Sequence, residues 1–558
     1  MFKKIKKFSP ILFIIVIGII PLTSLFQAGL PLTHDGQDHV ARIANFYQSL
    51  SEGVLVPRWA GNLNWGFGHP ILMFLYPAPS YIASFFIFLG YSLVDSVKIV
   101  FGLAFIISGI GMYLWINRLL GLYAGIVAAI LYMFAPYRFV NLYVRGAIGE
   151  HVSFAFIPII LFFITKLFLD KKITKIGFAT NTIGIAIFTA LLILSHNALS
   201  ILFLIFAGFY TIILFFKDKN LKKLAAAFIS VIYGFSLSAF FWLPAYIEGK
   251  YTLRDIVTGG FEYADRFVIS PLNFLLPSWS FGITGQLSVQ IGIVHIALIL
   301  LGIFIAVRFG NKRIIEKRIF ILTLIFFLLS LFMMIKESNF IWSSISTLQK
   351  FQFPWRFLSL TVLTSAVLGA YFIGGIKDKR KAIFAISGLV VLIVIFYSSY
   401  WRPNGYLIKS ESFYKKVYYS TTDTGESSPI WSVRFMEQEA TAQIEILTGN
   451  ASIKDVFRSS IRHEYVIDAQ ERTRIKENTL YFPGWSVYVN GRKLPISEVE
   501  FQDPANRGVM TFFVEEGISK VEVAFEDTKV RTLSNFMSLI SFIIVFPFIF
   551  LIIKKSKW

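Results

Sequence analysis

Cysteine is missing altogether from the 558 residues, so disulfides, thiolate nucleophiles and cysteine-bound metals are excluded. Charge is scarce as well. Asp, Glu, Lys and Arg make up 15% of the chain, against about a quarter in a soluble domain. There is no internal repeat and no low-complexity linker, and no nucleophile-elbow pattern accompanies Ser195-His196. No small-residue cleavage site follows the first apolar run, residues 9 to 27, so that run is expected to stay as a helix rather than be removed as a signal peptide. What fills the chain instead is apolar: 56% hydrophobic and 17% aromatic residues, with a mean hydropathy of +0.66. That composition describes a polytopic membrane protein.

The excess of 53 Lys and Arg over 33 Asp and Glu gives a formal charge of +20, and its placement decides its meaning. The basic residues cluster in short loops: Lys171 to Lys175, Lys217 to Lys223, Arg308 to Arg318 and Lys377 to Lys381. Windows of helix length predict about twelve spans, near 9–27, 96–116, 121–135, 151–169, 176–193, 198–216, 224–243, 289–308, 319–335, 357–375, 381–400 and 534–553. One further apolar stretch, 71–89, carries Pro77 and Pro79 and follows Pro70. Counting it as a span would throw every later basic loop to the outside, whereas reading it as a re-entrant or surface helix puts them all inside with both termini. The charge is therefore a topology signal and implies no nucleic-acid partner. A prokaryotic plasma membrane is the expected location.

Between the last two spans, residues 401–533 change character. Gln443 to Leu447, Trp485 to Val489 and Lys520 to Phe525 alternate with the period of half-buried strands. Asn490-Gly491 between Trp485–Val489 and Arg492–Ile496 is a hairpin signal. The expected organisation is a membrane domain over 1–400, with an outer loop at 28–95 holding juxtamembrane helices. A small antiparallel β-sandwich-like extracytoplasmic domain follows over 401–533, then a last span and basic tail over 534–558.

The polar residues that should lie on the outer side form the candidate site. Ionisable groups at a bilayer surface are costly unless they face water, an ion or a charged ligand. His34, Asp35, Asp38 and His39 follow the first span directly. Asp35 reads as a general base or as a ligand for a divalent ion, Mg or Mn, shared with Asp38; the structural alternative is a helix cap from Thr33, Asp35 or Asp38. Arg42, four residues after Asp38, would make a local ion pair. His34 and His39 do not have a recognised metal-ligand spacing. In the second outer loop Arg138 and Arg145 stand seven apart, sharing a face if helical, and suit a diphosphate. Glu150 is either a partner acid to Asp35 or a helix-terminus charge. Ser195-His196-Asn197 makes a tight turn at the same face. Trp355-Arg356 enters a span from outside, Arg356 as a phosphate ligand and Trp355 as a stacking or interfacial anchor. Ionisable residues within the spans are few, His295 being the clearest, which disfavours a proton relay.

The long first loop with its acidic cluster, the proline-bearing segment after it and the acid-bearing second loop resemble the GT-C superfamily of membrane glycosyltransferases. More narrowly, Leu32-Thr33-His34-Asp35, Pro57-Arg58-Trp59, Gly66-Phe67-Gly68, Tyr76-Pro77-Ala78-Pro79, Tyr143-Val144-Arg145-Gly146 with Glu150, and Gln352-Phe353-Pro354-Trp355-Arg356 resemble the bacterial 6-pyruvoyl-tetrahydropterin-synthase-related membrane family. The tail Tyr481 to Gly491 is similar to the outer domain of YfhO-like membrane proteins. The resemblance implies transfer of a sugar from a polyprenyl-phosphate donor, among membrane lipids, to a cell-envelope glycan, lipid or protein acceptor. It casts Asp35 as base and Arg138, Arg145 and Arg356 as phosphate ligands. It also suggests glycan recognition by the outer domain, with Trp485 and Tyr488 as either stacking platforms or core. A flippase for a lipid-linked glycan, and a non-catalytic assembly scaffold, are the competing classes.

Overall fold

The computed structural model describes residues 2–170, 172–257, 263–276, 278–282, 287–309, 314–374, 376 and 378–556, without the side chains of 2–8, 309, 314–315 and 548–556. Lys171, 310–313 and Lys377 of the basic loops lie outside the described residues, as do the last two residues of the tail.

Apolar composition makes the helices and short polar residues delimit them. Ser92, Thr174, Asn220 and Asp378 accept backbone N–H bonds at the starts of Leu93–Leu120, Lys175–Ile193, Leu221–Leu237 and Lys379–Tyr397. His196 does the same for Asn197–Asp218 through Nδ1. Among the described residues, eight helices are long and apolar enough to cross a membrane, or up to ten if each bent pair counts as one span. The expected count was about twelve. The predicted span 121–135 is one limb of a pair bent by 47°, and 224–243 runs across the break of a pair bent by 70°. The predicted spans 289–308 and 319–335 are helical, but Ile293–Phe309 has only 17 residues and Ile314–Phe332 opens with Glu316-Lys317-Arg318. The stretch 71–89 breaks into Ile71–Phe74 and Ala78–Phe88. At 1.5 Å per residue the longer piece reaches about 16 Å, half a bilayer core.

Leu93–Leu120, Leu122–Phe134, Ile148–Leu169 and Leu358–Gly374 form the buried centre of the bundle; Lys379–Tyr397 and the last helix, Lys529–Ser556, are peripheral. The loops gather at one end. Leu30–Pro31 pairs antiparallel with Tyr406–Leu407, and Arg42 reaches Thr422. Arg58 reaches Asp527 near the start of the last helix.

The β region is a sandwich of two antiparallel sheets. The larger has the order 451–458, 462–469, 517–525, 485–489, 492–493; the smaller has 444–448, 473–480, 509–514. The predicted hairpin is present, Tyr488 pairing with Lys493 and Val489 with Arg492, across Asn490 (φ 51°) and Gly491 (φ 80°). Buried Glu477 ties the sheets, accepting from Tyr465 Oη (2.7 Å) and bonding His463 Nδ1 (2.9 Å). Residues 401–443 contribute no strand to the sandwich and run along the first loop instead.

The sandwich core recruits residues from that loop. Trp59, Met73 and Phe74 join Ile467, Val487 and Phe512 in one apolar cluster. Trp59 packs 5.3 Å from Trp485 and 5.5 Å from Phe525. Trp485 is therefore core and is unavailable as a stacking platform, and Tyr488 is bonded to Glu526. Deleting a buried indole costs about 3–5 kcal/mol. Trp59→Ala is expected to lower the midpoint of thermal unfolding and to open 444–525 to protease before the bundle; an unchanged proteolysis pattern would mean that the sandwich holds without the loop.

Candidate functional site

Thr33 settles the capping question raised by the acidic cluster. The helix Gly36–Ser51 starts one residue after Asp35, yet the Asp35 side chain makes no capping bond. Thr33 Oγ1 accepts from the Gly36 N–H instead, at 3.2 Å. The loop is clamped by backbone bonds onto the second polar loop: His34 N–H to Val144 O (3.0 Å) and Asp35 N–H to Arg145 O (2.8 Å). Gly146 makes this approach possible. It sits at φ 67°, and a Cβ there would stand 2.3 Å from Thr33 Oγ1. The result is a half-buried Asp35 carboxylate with no hydrogen bond or ion pair to the described residues, within electrostatic reach of Arg145.

Glu150 lies beside it at the start of Ile148–Leu169, 1% exposed. Arg145 Nη1 approaches to 2.9 Å, Arg356 Nε to 3.4 Å and His196 Nε2 to 3.9 Å, and Tyr137 Oη donates at 3.0 Å. Tyr76 stacks on His196 at 5.2 Å. Burial lowers the His196 pKa to about 3, so the ring is neutral. One carboxylate thus holds two guanidiniums, and the group of Glu150, Arg145 and Arg356 keeps one positive charge in excess. A carboxylate so enclosed is built to hold arginines, not to collect protons, which favours the positioning role for Glu150 over the partner acid.

Arg138 stands apart. The one-face expectation fails because Pro136 starts a new helix after extended Ala135, and Val140–Arg145 is wound as a π-helix. Arg138 is fully buried over Phe154 (4.2 Å), Phe105 and Tyr132, bonded only to Ser108 Oγ at 3.1 Å. The anticipated Asp38–Arg42 ion pair is also absent among the described residues. Arg42 donates to Thr422 and to His39 Nδ1 (3.1 Å), and Asp38 accepts from Tyr418 Oη (3.0 Å). His34 is exposed, near Phe281 O. Trp355 is buried and stacked 4.4 Å from Phe353, inside the protein rather than at its surface. His295, the intraspan histidine, bonds Leu131 O (2.8 Å) and Tyr397 Oη (3.1 Å). Sequence reasoning missed Tyr76, Tyr137 and Thr422 as partners; only Tyr76 carried a signal, its place in Tyr76-Pro77-Ala78-Pro79.

The donor set for a divalent ion is thin. No three His, Asp or Glu side chains converge among the described residues, so Asp35 and Asp38 would supply at most two carboxylates, the number from which a magnesium ion is held when water and substrate phosphate complete its shell.

Comparison with known proteins follows from this geometry. The sequence profile of a family described as 6-pyruvoyl-tetrahydropterin synthase related domain, membrane protein, matches residues 72–403, more than half of the chain. An uncharacterized protein of Lactococcus lactis subsp. cremoris (strain MG1363) is 28% identical over 264 residues, covering 45% of this chain and 42% of that protein. The match thus spans under half of that relative. Among solved structures, mycobacterial arabinofuranosyltransferase AftD is similar over 72% of this chain and 28% of its own, at 12% identity and TM-score 0.46. The Archaeoglobus fulgidus oligosaccharyltransferase is similar over 72% of this chain and 56% of its own, at 13% identity and TM-score 0.44.

Two expectations follow. Removing one partner of a buried ion pair costs about 3–5 kcal/mol, so Glu150→Ala should sharply reduce the yield of folded protein and its thermal midpoint, while Asp35→Asn should leave both unchanged. Burial pushes the Asp38 carboxyl up, against the pull of Arg42 and Tyr418. A raised pKa in the folded state means that stability is lost as pH rises through it. Asp38→Asn should therefore melt higher than wild type at pH 7, with the difference closing as pH falls toward about 4; a difference independent of pH would remove the ionisation as its cause.

Proposed function

Because the chain belongs to the 6-pyruvoyl-tetrahydropterin-synthase-related family of membrane proteins, and Arg145, Glu150 and Arg356 converge within the matched residues, we propose that it is a GT-C-type glycosyltransferase. In this reading it takes a sugar from a polyprenyl-phosphate donor and gives it to a cell-envelope acceptor on the outer face of a prokaryotic plasma membrane. The observation that carries the reading is the unpaired Asp35 carboxylate, freed from capping by Thr33 and within electrostatic reach of Arg145, which shares Glu150 with Arg356.

The chemistry needs a base and an anion site. An acceptor hydroxyl attacks the anomeric carbon; as its oxygen bonds to that carbon its proton passes to Asp35, and the bond from the carbon to the phosphate oxygen breaks with its electron pair leaving on the phosphate. Arg356, half-buried and the more accessible of the pair, meets that charge, and Arg145 supports it from behind. Glu150 holds both guanidiniums in place. Arg138, enclosed by aromatic rings, has no part in this step.

A lipid donor also needs room for its tail. A largely apolar groove of about 700 Å³ lies between Leu55, Phe240 and the last helix at Phe536, Leu539 and Phe542. It shares Val56, Arg58 and Phe240 with a second cavity, which shares Phe46, Leu72 and Pro77 with a third that ends at His39, Arg42 and Tyr76. The inner two hold about 10 and 20 Å³, room for about one water each, and the last ends at Tyr76, which stacks on His196.

Membranes carrying wild-type or Asp35→Asn protein at equal abundance, given radiolabelled sugars on polyprenyl phosphate, provide the test. General-base loss predicts a fall in transfer of about 10²–10⁴-fold, with retained thermal stability. Arg356→Ala should weaken donor saturation as well as turnover. Equal transfer by wild type and Asp35→Asn would overturn the mechanism.

A further inference from the structure

Tyr76 stands among the charged groups of the site, yet its hydroxyl is committed to none of them. The prolines around it set its position. Pro77 disfavours helix at the residue before it, and the chain is broken there: Ile71–Phe74 ends on extended Leu75, and the next helix opens at Ala78, whose N–H bonds Leu194 O at 2.9 Å. That bond ties the break to the turn that carries His196, and the Tyr76 ring stacks on the imidazole with centroids 5.2 Å apart and planes inclined by 23°. Gly149 leaves room for the far end of the ring. A Cβ there would stand 2.2 Å from Tyr76 Cε2 and 2.3 Å from Cζ, so the hydroxyl-bearing end lies against the residue before Glu150.

Among the described residues Oη makes no hydrogen bond, and it is not sealed off: the side chain is half-buried and borders the cavity it shares with His39 and Arg42. Arg42, Asp35, Glu150 and Arg356 all lie within its electrostatic reach. Tyr137 makes the contrast plain, since its hydroxyl donates to Glu150 at 3.0 Å. A phenol titrates at about pH 10, so at neutral pH Tyr76 offers a proton donor that no carboxylate has taken.

We propose that Tyr76 is a further catalytic residue of the transfer reaction, its hydroxyl donating to an oxygen of the departing lipid phosphate. The assignment rests on the glycosyltransferase reading. As the bond from the anomeric carbon to the phosphate oxygen breaks, its electron pair moves onto the phosphate; the phenol meets that charge with a hydrogen bond and keeps its own proton, while the proton of the acceptor hydroxyl passes to Asp35. The ring belongs to the anion side of the site because His196, on which it stacks, faces Glu150, the residue that holds Arg145 and Arg356. A donor fixed before the charge develops binds the transition state more strongly than the ground state, and the stack on His196 and the seat on Gly149 fix this one.

The test removes the hydroxyl and keeps the ring. Tyr76→Phe preserves the stack and the fit on Gly149, and its thermal midpoint should equal that of wild type. In the polyprenyl-phosphate transfer assay its turnover should fall about 10²-fold, with the KM for donor little changed. Calorimetry on the full chain in phospholipid nanodiscs reads the phosphate contact without chemistry. Farnesyl phosphate, which carries the charge of the departing group, should bind Tyr76→Phe about tenfold more weakly than wild type, whereas farnesol should show no difference. Asp35→Asn should lose transfer and bind farnesyl phosphate at least as tightly as wild type. Unchanged turnover in Tyr76→Phe, unchanged farnesyl phosphate binding, or no binding by wild type would each overturn the assignment. A tenfold loss of farnesyl phosphate binding in a chain that transfers no sugar would uphold the phosphate contact and overturn the glycosyltransferase reading.

Discussion

Glu150 is the point at which distant parts of the chain become one site. A carboxylate removed from water is costly unless its lone pairs are filled, and Glu150 fills them from two other segments, Tyr137 and Arg145 on the bent pair and Arg356 at the head of the Leu358–Gly374 helix, while the His196 ring at the turn before Asn197–Asp218 closes the remaining side at 3.9 Å. Each partner is itself fixed. Arg145 is steadied by Asn141 Oδ1, His196 by the stack on Tyr76 and the Leu199 N–H, Arg356 by Phe351 O. The helices can differ in length and tilt, but their ends at this face must meet within a few ångströms of one carboxyl group.

The same demand explains the fold of the acidic loop. Arg145 can be aimed at Glu150 only if the chain reverses just after it, and Gly146 provides the left-handed turn. That turn leaves the carbonyls of Val144 and Arg145 facing the first loop, where the His34 and Asp35 N–H groups take them. Thr33 then fits only against a residue without Cβ, and having arrived there it caps the helix at Gly36. The freedom of the Asp35 carboxylate is thus a consequence of how the arginine is positioned. One set of contacts positions the Asp35 carboxylate and the paired arginines.

Much of this was legible residue by residue and little of it pair by pair. Charge at a membrane surface singled out Asp35, Arg145, Glu150, His196 and Arg356, because their placement contradicts the apolar composition around them. Their mutual contacts were not legible, since Glu150 and Arg356 are 206 positions apart and no local pattern encodes such a distance. Where local rules were applied across a break they misled. Arg138 and Arg145 share a face only on an uninterrupted helix, and the π-wound segment changes the phase between them. Asp38 and Arg42 have the spacing of a helical ion pair, but the Thr422 carbonyl and hydroxyl offer Arg42 a better-directed set of acceptors. The strands were easier, because a period of two survives whatever packs on either face; Trp485 was ambiguous because alternation cannot say which face is the core.

The first loop has a second task that constrains the whole end of the molecule. Its front half, Thr33 to Asp38, completes the site, and its middle, Pro57 to Phe74, completes the sandwich through Trp59, Met73 and Phe74. Arg58 bonds Asp527 just before the last helix and Asn535 within it, and the Phe67 carbonyl accepts from Leu480. The β region is consequently held by the segment that carries Asp35, and its position is set by the same apolar contacts that keep that segment folded.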